Sequence, residues 1–384
     1  MDREQIAELA ADMVAVPSVN PLERPLAEGC GEAALAGFVA ERLAGAGIAC
    51  ELVEAAPGRP SVLARLPGES EEAIWFDAHL DTVSGEGMAF EPFIPRIEGD
   101  ILYGRGAADC KGCLAAMMAA MMAVAESGQR PPASIILTAT ADEEYRMRGL
   151  TSLLDSGVRA RAAVVGEPTS LEVVVAHKGV ARFRIIAKGK AVHSSRPEEG
   201  VNAIYHMARA IQLLEAYARR GVGRETDPLL GKATLAVTVI RGGRHANVIP
   251  DRCEVEVDRR LLPSEEGRRA VADVRAYLTD AVPAEVELEF TPPDVLVPGL
   301  SISVEDSLVQ AVLAAVREVT GSAPINGMSG TTHAGTLMAA GIPAVVFGPG
   351  AMGQAHTPTE GLDLNQLEPA ARVYESLMRS GATR

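Results

Sequence analysis

The chain has 384 residues, more than one hydrophobic core usually occupies, and 47% of them are hydrophobic, enough to build two domains. With 36 basic against 51 acidic side chains its net charge is −15, which argues against a nucleic-acid or anionic-membrane partner and favours a small molecule and bound cations. Five cysteines (Cys30, Cys50, Cys110, Cys113, Cys253) at irregular spacing supply no disulfide framework and fit a reducing compartment, so the cytoplasm is the expected location.

In chain order, "MDREQIAELAADMV" is charged throughout and reads as an amphipathic helix, without the apolar core of a signal peptide. No later segment is expected to reach the roughly 18 to 20 apolar residues of a membrane span. Helical patterns then alternate with short β-rich runs, "SVLARL", "AIWFDAHL", "ASIILTAT" and "AAVVGEP", which predicts an α/β sheet of mostly parallel strands covered on both faces. "EGDILYGRG" adds a small hairpin around its Gly-Asp turn. "CLAAMMAAMMAVA" is apolar on nearly all faces, and its methionines read as core filler. Over residues 179–291 the order becomes β-α-β-β-α-β, the ferredoxin-like order. The α/β alternation returns over 292–384, so an α+β domain is inserted into a first domain made of 1–178 and 292–384.

The chemistry-bearing residues cluster where apolar strands end. "TATADEEYRMRG" sets Asp142, Glu143 and Glu144 side by side; adjacent carboxylates repel, so a cation or a reaction must make the arrangement worthwhile. Four other strand ends carry ligand-type residues: His79 and Asp81 in "FDAHLDTV", Asp109 in "YGRGAADCKG", Glu167 in "VVGEPTS" and His356 in "GQAHTPTE". Each alone is most often a solvated loop residue, but strand ends of one sheet converge in space. In His-x-Asp, a metal-binding imidazole would donate its other N–H to the Asp81 carboxylate. Two histidines with three or four carboxylates suit divalent zinc, with cobalt or manganese as alternatives, and the excess of carboxylates suggests two ions sharing a bridge. The Glu-Glu pair then divides its work: one binds metal and its neighbour takes the proton of an activated water. Cys110-x-x-Cys113 has no second pair and begins a helix, which disfavours a redox or zinc-site role. His177 reads as structural, acidic runs such as "GESEEA" as solvated surface, and His333 as either an extension of the site or a helix-cap residue.

From "VPSVNP" to "AHTPTE", in order and spacing and over nearly the whole chain, these stretches resemble the dinuclear zinc amidohydrolases and peptidases that include acetylornithine deacetylase, succinyl-diaminopimelate desuccinylase, aminoacylase and glutamate carboxypeptidase. The resemblance implies a zinc-exopeptidase-like catalytic domain with an inserted dimerisation or lid domain, and two divalent ions. His79 and Glu167 would bind one, Glu144 and His356 the other, and Asp109 both, with Glu143 as general base. It also implies a cis bond between Asp109 and Cys110. In "GKAVHSSRPEEGVNAI", His193 would reach a partner subunit's active site in a homodimer. In "ANVIPDRCEVEVDRRLLP", Asn247 and Arg259 would contact substrate, Arg259 gripping a carboxylate; the bland alternative for Arg259 is an ion pair with Asp258 or Glu256. The implied activity is hydrolysis of an N-acyl amino acid, with a di- or tripeptidase or carboxypeptidase as alternative. A non-catalytic metal-binding member is disfavoured, because it has no use for Glu143. The chain departs from the family pattern at His333, where aspartate is common, and at Cys113, where glycine is.

Overall fold

Helix Arg3–Val14 begins behind Asp2, whose side chain accepts from the Gln5 N–H while the Gln5 side chain accepts from the Asp2 N–H, and it turns Ile6, Leu9, Ala10 and Met13 inward. The structure is a computed structural model that describes residues 1–22, 24–26, 30–223 and 225–382. These pack as two units, one of Met1–Val175, Ile302–Asn326 and the segment from Thr332 onward, the other of Ala176–Ser301 and Gly327–Thr331.

In the first unit, strands Ala133–Thr140, Ser70–His79, Ala162–Val165 and Ala344–Val346 are parallel neighbours in that order. Antiparallel pairs flank them: Arg59–Leu66 against Ala133–Thr140, Ala49–Ala56 against Arg59–Leu66, and Val346 against Val174. The sheet is therefore mixed, parallel at its centre, where residues Ala73 to His79 are all buried as expected of a strand covered on both faces. Arg96–Glu98 and Ile101–Tyr103 form the expected hairpin.

Helix Gly112–Glu126 is the central core helix, with Met117, Met118 and Met121 fully buried. It corrects one expectation. Among the described residues, the helical stretch Ala107–Glu126 does have the length and hydropathy of a membrane span, yet 89% of its most apolar window is buried inside the protein. Its apolar character serves a helix enclosed on all sides. The helix sits so close to the sheet that a Cβ on Gly166 would lie 2.9 Å from the Met117 methyl and 3.0 Å from the Cys113 Cβ. Cys113 is thus a packing residue, and all five cysteines are free.

The second unit has the sheet order Thr234–Gly242, Arg252–Leu261, Gly179–Lys188, Leu288–Phe290, with every pair antiparallel. Helices Ala203–Arg219 and Gly267–Ala281 bury Met207, Leu214, Val274 and Leu278 in a core with Phe183, Ile185, Val255 and Val257. Its element order is the β-α-β-β-α-β of the sequence. Along Arg252–Leu261 burial alternates strictly: Cys253, Val255, Val257, Arg259 and Leu261 point inward, while Glu254, Glu256, Asp258 and Arg260 lie on the open face.

Candidate metal centre

His79 ends strand Ser70–His79 and pairs in register with Thr140, the last residue of the next parallel strand; Glu143 and Glu144 follow just beyond. Both lie at the carboxyl ends of parallel strands, where open α/β sheets place their sites. The His79 Nδ1 lies 2.7 Å from the Asp81 backbone carbonyl, which accepts its N–H, and this leaves Nε2, 3.0 Å from Asp109 Oδ1, as the ring atom that would meet a cation.

The Asp81 carboxylate does not serve as the imidazole's partner, because the carbonyl of the same residue already occupies that place and the nearest carboxylate oxygen is 3.9 Å away. Its oxygens instead accept the backbone N–H of Glu143 (3.0 Å) and of Glu144 (3.1 Å), and the Asn20 amide at 2.7 Å. Asp81 thereby holds the turn from which both glutamates project.

The Asp109–Cys110 peptide bond is cis, as expected. One Asp109 oxygen faces His79 and the other lies 3.2 Å from His356 Nε2, which is itself 3.0 Å from Glu144 Oε1. Two sets of ligand atoms within 4.8 Å of one another emerge among the described residues: His79 with Asp109 and Cys110, and Asp109 with Glu144 and His356. A carboxylate shared by two histidines, one oxygen to each, is a donor set suited to two bridged divalent ions. Glu167 is buried beyond the end of Ala162–Val165 and lies outside both sets; burial pushes its carboxyl well above the usual range, and the Asp109 charge adds to the rise. Cys110 takes the third place beside His79, but burial raises its thiol and keeps it neutral.

Several supporting residues escaped the sequence analysis. Glu360, the last residue of "AHTPTE", is buried and accepts the N–H of Ala108 and of Asp109 at 3.0 and 3.1 Å, while Arg105 pairs with its other oxygen at 2.6 Å. Asp142, first of the three acids, turns away from the centre at φ 67° and pairs with Arg59 (2.8 Å) and Arg148 (2.6 Å); Arg59 in turn binds Glu32. The three consecutive acids thus do three different things.

In the second unit, His193 is exposed, with its Nδ1 2.7 Å from Ser195 Oγ, and the Asn247 carbonyl accepts the Ser194 N–H, so these two candidates share one short ladder. Arg259 corrects its assignment as a carboxylate grip. It is 2% exposed, and its guanidinium is bound to the Glu265 carboxylate and the Arg260 carbonyl. The period-2 alternation puts it on the inward face and its neighbour Arg260 on the open one, where Arg260 bonds Asp258 at 2.7 Å and Thr331 at 3.3 Å. The alternating pattern of "CEVEVDRRL" was the signal that separates the two arginines.

Crowded carboxyls give the metal-free protein a defined pH response. Burial pushes Glu143 up to about 8, with Glu144 and Asp81 adding to the rise against His79 and His333. The carboxylates of Asp109 and Glu144, which accept from its ring N–H, push His356 up to about 10. A group that holds its proton more tightly when folded costs stability as pH rises between its unfolded and folded values, here from 4.5 to about 8 and from 6.5 to about 10. The Tm of the chelator-treated protein is therefore expected to fall from about pH 5 to about pH 9, and added divalent metal to raise it most at the alkaline end. Thermal melts with and without metal check this; a flat metal-free profile would remove the electrostatic account.

Residues 75–380 match the family described as Peptidase family M20/M25/M40. The chain is 32% identical over 390 residues, 97% of each protein, to a succinyl-diaminopimelate desuccinylase of Dinoroseobacter shibae. It is 31% identical over 307 residues, 78% of each, to an acetylornithine deacetylase of Myxococcus xanthus. Among solved structures it is similar in fold to an M20 family metallo-carboxypeptidase of Sulfolobus solfataricus, with a TM-score of 0.77 at 19% identity over 100% of both chains.

Proposed function

Because the chain belongs to peptidase family M20/M25/M40 and is a hydrolase of amide bonds, we propose that it removes the acyl group from an N-acyl amino acid. The observation that carries this reading is the Asp109 carboxylate, with one oxygen at His79 and the other at His356, while Glu143 leaves the same Asp81-held turn as Glu144 without belonging to either ligand set. In this reading His79, Asp109, Glu144, Glu167 and His356 hold two divalent ions, zinc first and cobalt or manganese as alternatives. When bound, the ions supply Lewis-acid polarisation of the amide carbonyl and activation of the attacking water. Glu143 takes the proton of that water and delivers it to the leaving amine. Asp81 and Asn20 fix the turn that carries Glu143, and Glu360 fixes the backbone that carries Asp109.

A di- or tripeptidase or a carboxypeptidase would use the same residues, and the fold likeness to a metallo-carboxypeptidase favours that second reading. A panel of N-acetyl and N-succinyl amino acids and dipeptides, assayed with added zinc, cobalt or manganese, tests the choice. The N-acyl amino acids are expected to be cleaved fastest; preference for the dipeptides would establish the peptidase reading, and metal binding without turnover of any of them would establish a non-catalytic member.

Arg260 replaces Arg259 as the proposed grip on the substrate carboxylate, a role that its open-face fork supports. Arg260→Lys is expected to lower kcat/KM for free-acid substrates roughly 10- to 100-fold with little change in Tm, since lysine keeps the charge and loses the bidentate geometry. Arg259→Lys should instead cost roughly 1–3 kcal/mol of stability with kcat/KM preserved, because it disturbs a buried pair. The opposite assignment of the two effects would sink this reading.

The proposal extends to a homodimer through residues 179–291, with His193 serving the partner's site and residues 1–178 with 292–384 forming the catalytic domain. The exposed ladder that presents His193 supports it. Light scattering is expected to give twice the chain mass at micromolar concentration, and a monomer would count against it. A reducing cytoplasm is part of the same reading, supported by five free thiols.

A further inference from the structure

At His79 the edge of strand Ser70–His79 outlasts its neighbour. Register with strand Ala162–Val165 runs only as far as Asp77 opposite Val165, and the Asp77 carbonyl accepts the Gly166 N–H at 2.7 Å. Alternate residues of a strand turn their backbone groups to the same side, so His79, two residues on, faces the side where that strand has ended. The Leu80 N–H goes the other way, to the Thr140 carbonyl at 2.7 Å. His79 is buried, and a buried peptide group needs a partner. Cys110 supplies it. The sulfur accepts the His79 N–H at 3.2 Å and lies 3.6 Å from the His79 carbonyl, to which the S–H donates. One side-chain atom stands where the next residue of the ended strand would have paired.

The residue that offers this thiol directly follows Asp109, and the backbone on both sides of it is tied as well. Glu360 accepts the Asp109 N–H at 3.1 Å, and the Lys111 N–H donates to the Gly106 carbonyl at 2.9 Å. The Lys111 ammonium donates to the carbonyls of Met13 at 3.0 Å and Val16 at 2.9 Å. Cys110 is therefore a fixed, fully buried joint between two segments 31 positions apart, and the side chains on either side of that joint meet, His79 Nε2 at 3.0 Å from Asp109 Oδ1. The sulfur lies within 4.8 Å of the ligand atoms of both, but its proton and an acceptor position are spent on the His79 backbone.

We propose that Cys110 is a positioning residue of the metal centre: its thiol latches the segment of Asp109 to the backbone of His79 and so fixes the separation at which the two side chains take one ion, without binding that ion itself. The latch rests on the reading of His79 and Asp109 as ligands of a common ion. Its effect is one-sided, because Glu144, on the other side of the centre, is held by Asp81 and not by the thiol.

Zinc competition against a chelating indicator, which yields two stepwise constants, tests the latch in wild type, Cys110→Ala and Cys110→Ser. Cys110→Ala is expected to weaken one constant roughly 10- to 100-fold and the other less than about threefold. Cys110→Ser should recover most of the loss, since a hydroxyl both donates and accepts. A cysteine that only filled the core would lower Tm in Cys110→Ala and leave the two constants unchanged or shift them together; either result overturns the proposal, as does a Cys110→Ser no better than Cys110→Ala. Two further measurements do not depend on the alanine variant folding. In the metal-free wild type the His79 amide is expected to exchange with solvent slowly, and a freely exchanging amide overturns the latch. In the cobalt-loaded wild type no sulfur-to-cobalt charge-transfer band is expected, and a band that Cys110→Ser abolishes would make the thiol a ligand instead. A wild type that binds neither zinc nor cobalt would defeat the metal reading and the latch's role with it; two ordinary constants in wild type that Cys110→Ala leaves alone defeat the latch only.

Discussion

Glu143→Ala is expected to lower kcat by roughly 10²- to 10⁴-fold while the protein keeps its metal, and Glu144→Ala to lose metal together with activity. The two side chains leave consecutive positions on a turn whose N–H groups are both taken by the Asp81 carboxylate, so neither substitution disturbs the backbone that carries the other. Only Glu144 makes a ligand-distance contact, 3.0 Å to His356. Its carboxyl is raised by burial and by the Asp109 charge, against the hydrogen bond from His356, a strain that a bound cation relieves. Glu143 is pushed up by burial first, the condition of a group that receives a proton. Steady-state kinetics with metal analysis of both variants checks the division; equal loss of metal from the two would end it.

Arg59→Ala is expected to cost about 3 to 5 kcal/mol, a large share of the free energy that keeps a typical domain folded. Arg59, Glu32 and Asp142 are all buried, and Arg59 bonds Glu32 through two nitrogens at 2.8 and 2.5 Å and Asp142 through a third at 2.8 Å. Burial already raises the Glu32 carboxyl, and the Arg59 hydrogen bond is the largest influence opposing that rise. Without the guanidinium, Glu32 is left as an uncompensated buried acid, while Asp142 keeps Arg148. Because the Asp142 N–H also donates to Glu32, the damage passes to the turn that carries Glu143, and kcat should fall with stability. Urea unfolding measures the first effect; a cost below about 1 kcal/mol would show that the network carries no such load. Arg59→Met combined with Glu32→Gln should recover part of the loss, since apolar and neutral replacements remove the unpaired charge.

Part of the candidate site was legible because its residues stand at the end of an apolar run, a pattern that survives in one dimension: His79 closes "AIWFDAH", and Glu143 and Glu144 follow "ASIILTAT". The inserted β-α-β-β-α-β order was legible for the same reason, since periodicity changes at each boundary. What could not be read were partnerships between residues far apart in the chain. Arg59 and Asp142 are 83 positions apart, Glu360 and Asp109 251, and His333 and Asp77 256, and no local pattern announces such pairs. Asp81 fell between these cases. Its place beside the site was legible, but whether its carboxylate or its carbonyl meets the imidazole depends on the backbone path after His79. Arg259 was legible and misassigned, because the motif drew more weight than the strand alternation that buries it.

The central claim is that Asp109 joins two ions, and metal stoichiometry per chain tests it most directly. Purified wild type, Glu144→Ala and Asp109→Ala would be saturated with zinc, freed of excess ion, and analysed by mass spectrometry of the metal against protein concentration. The bridging account predicts about two ions per chain for wild type, about one for Glu144→Ala, and less than one for Asp109→Ala, whose loss removes a ligand from both ions. Two ions retained in Asp109→Ala, or a single ion in the saturated wild type, would contradict it.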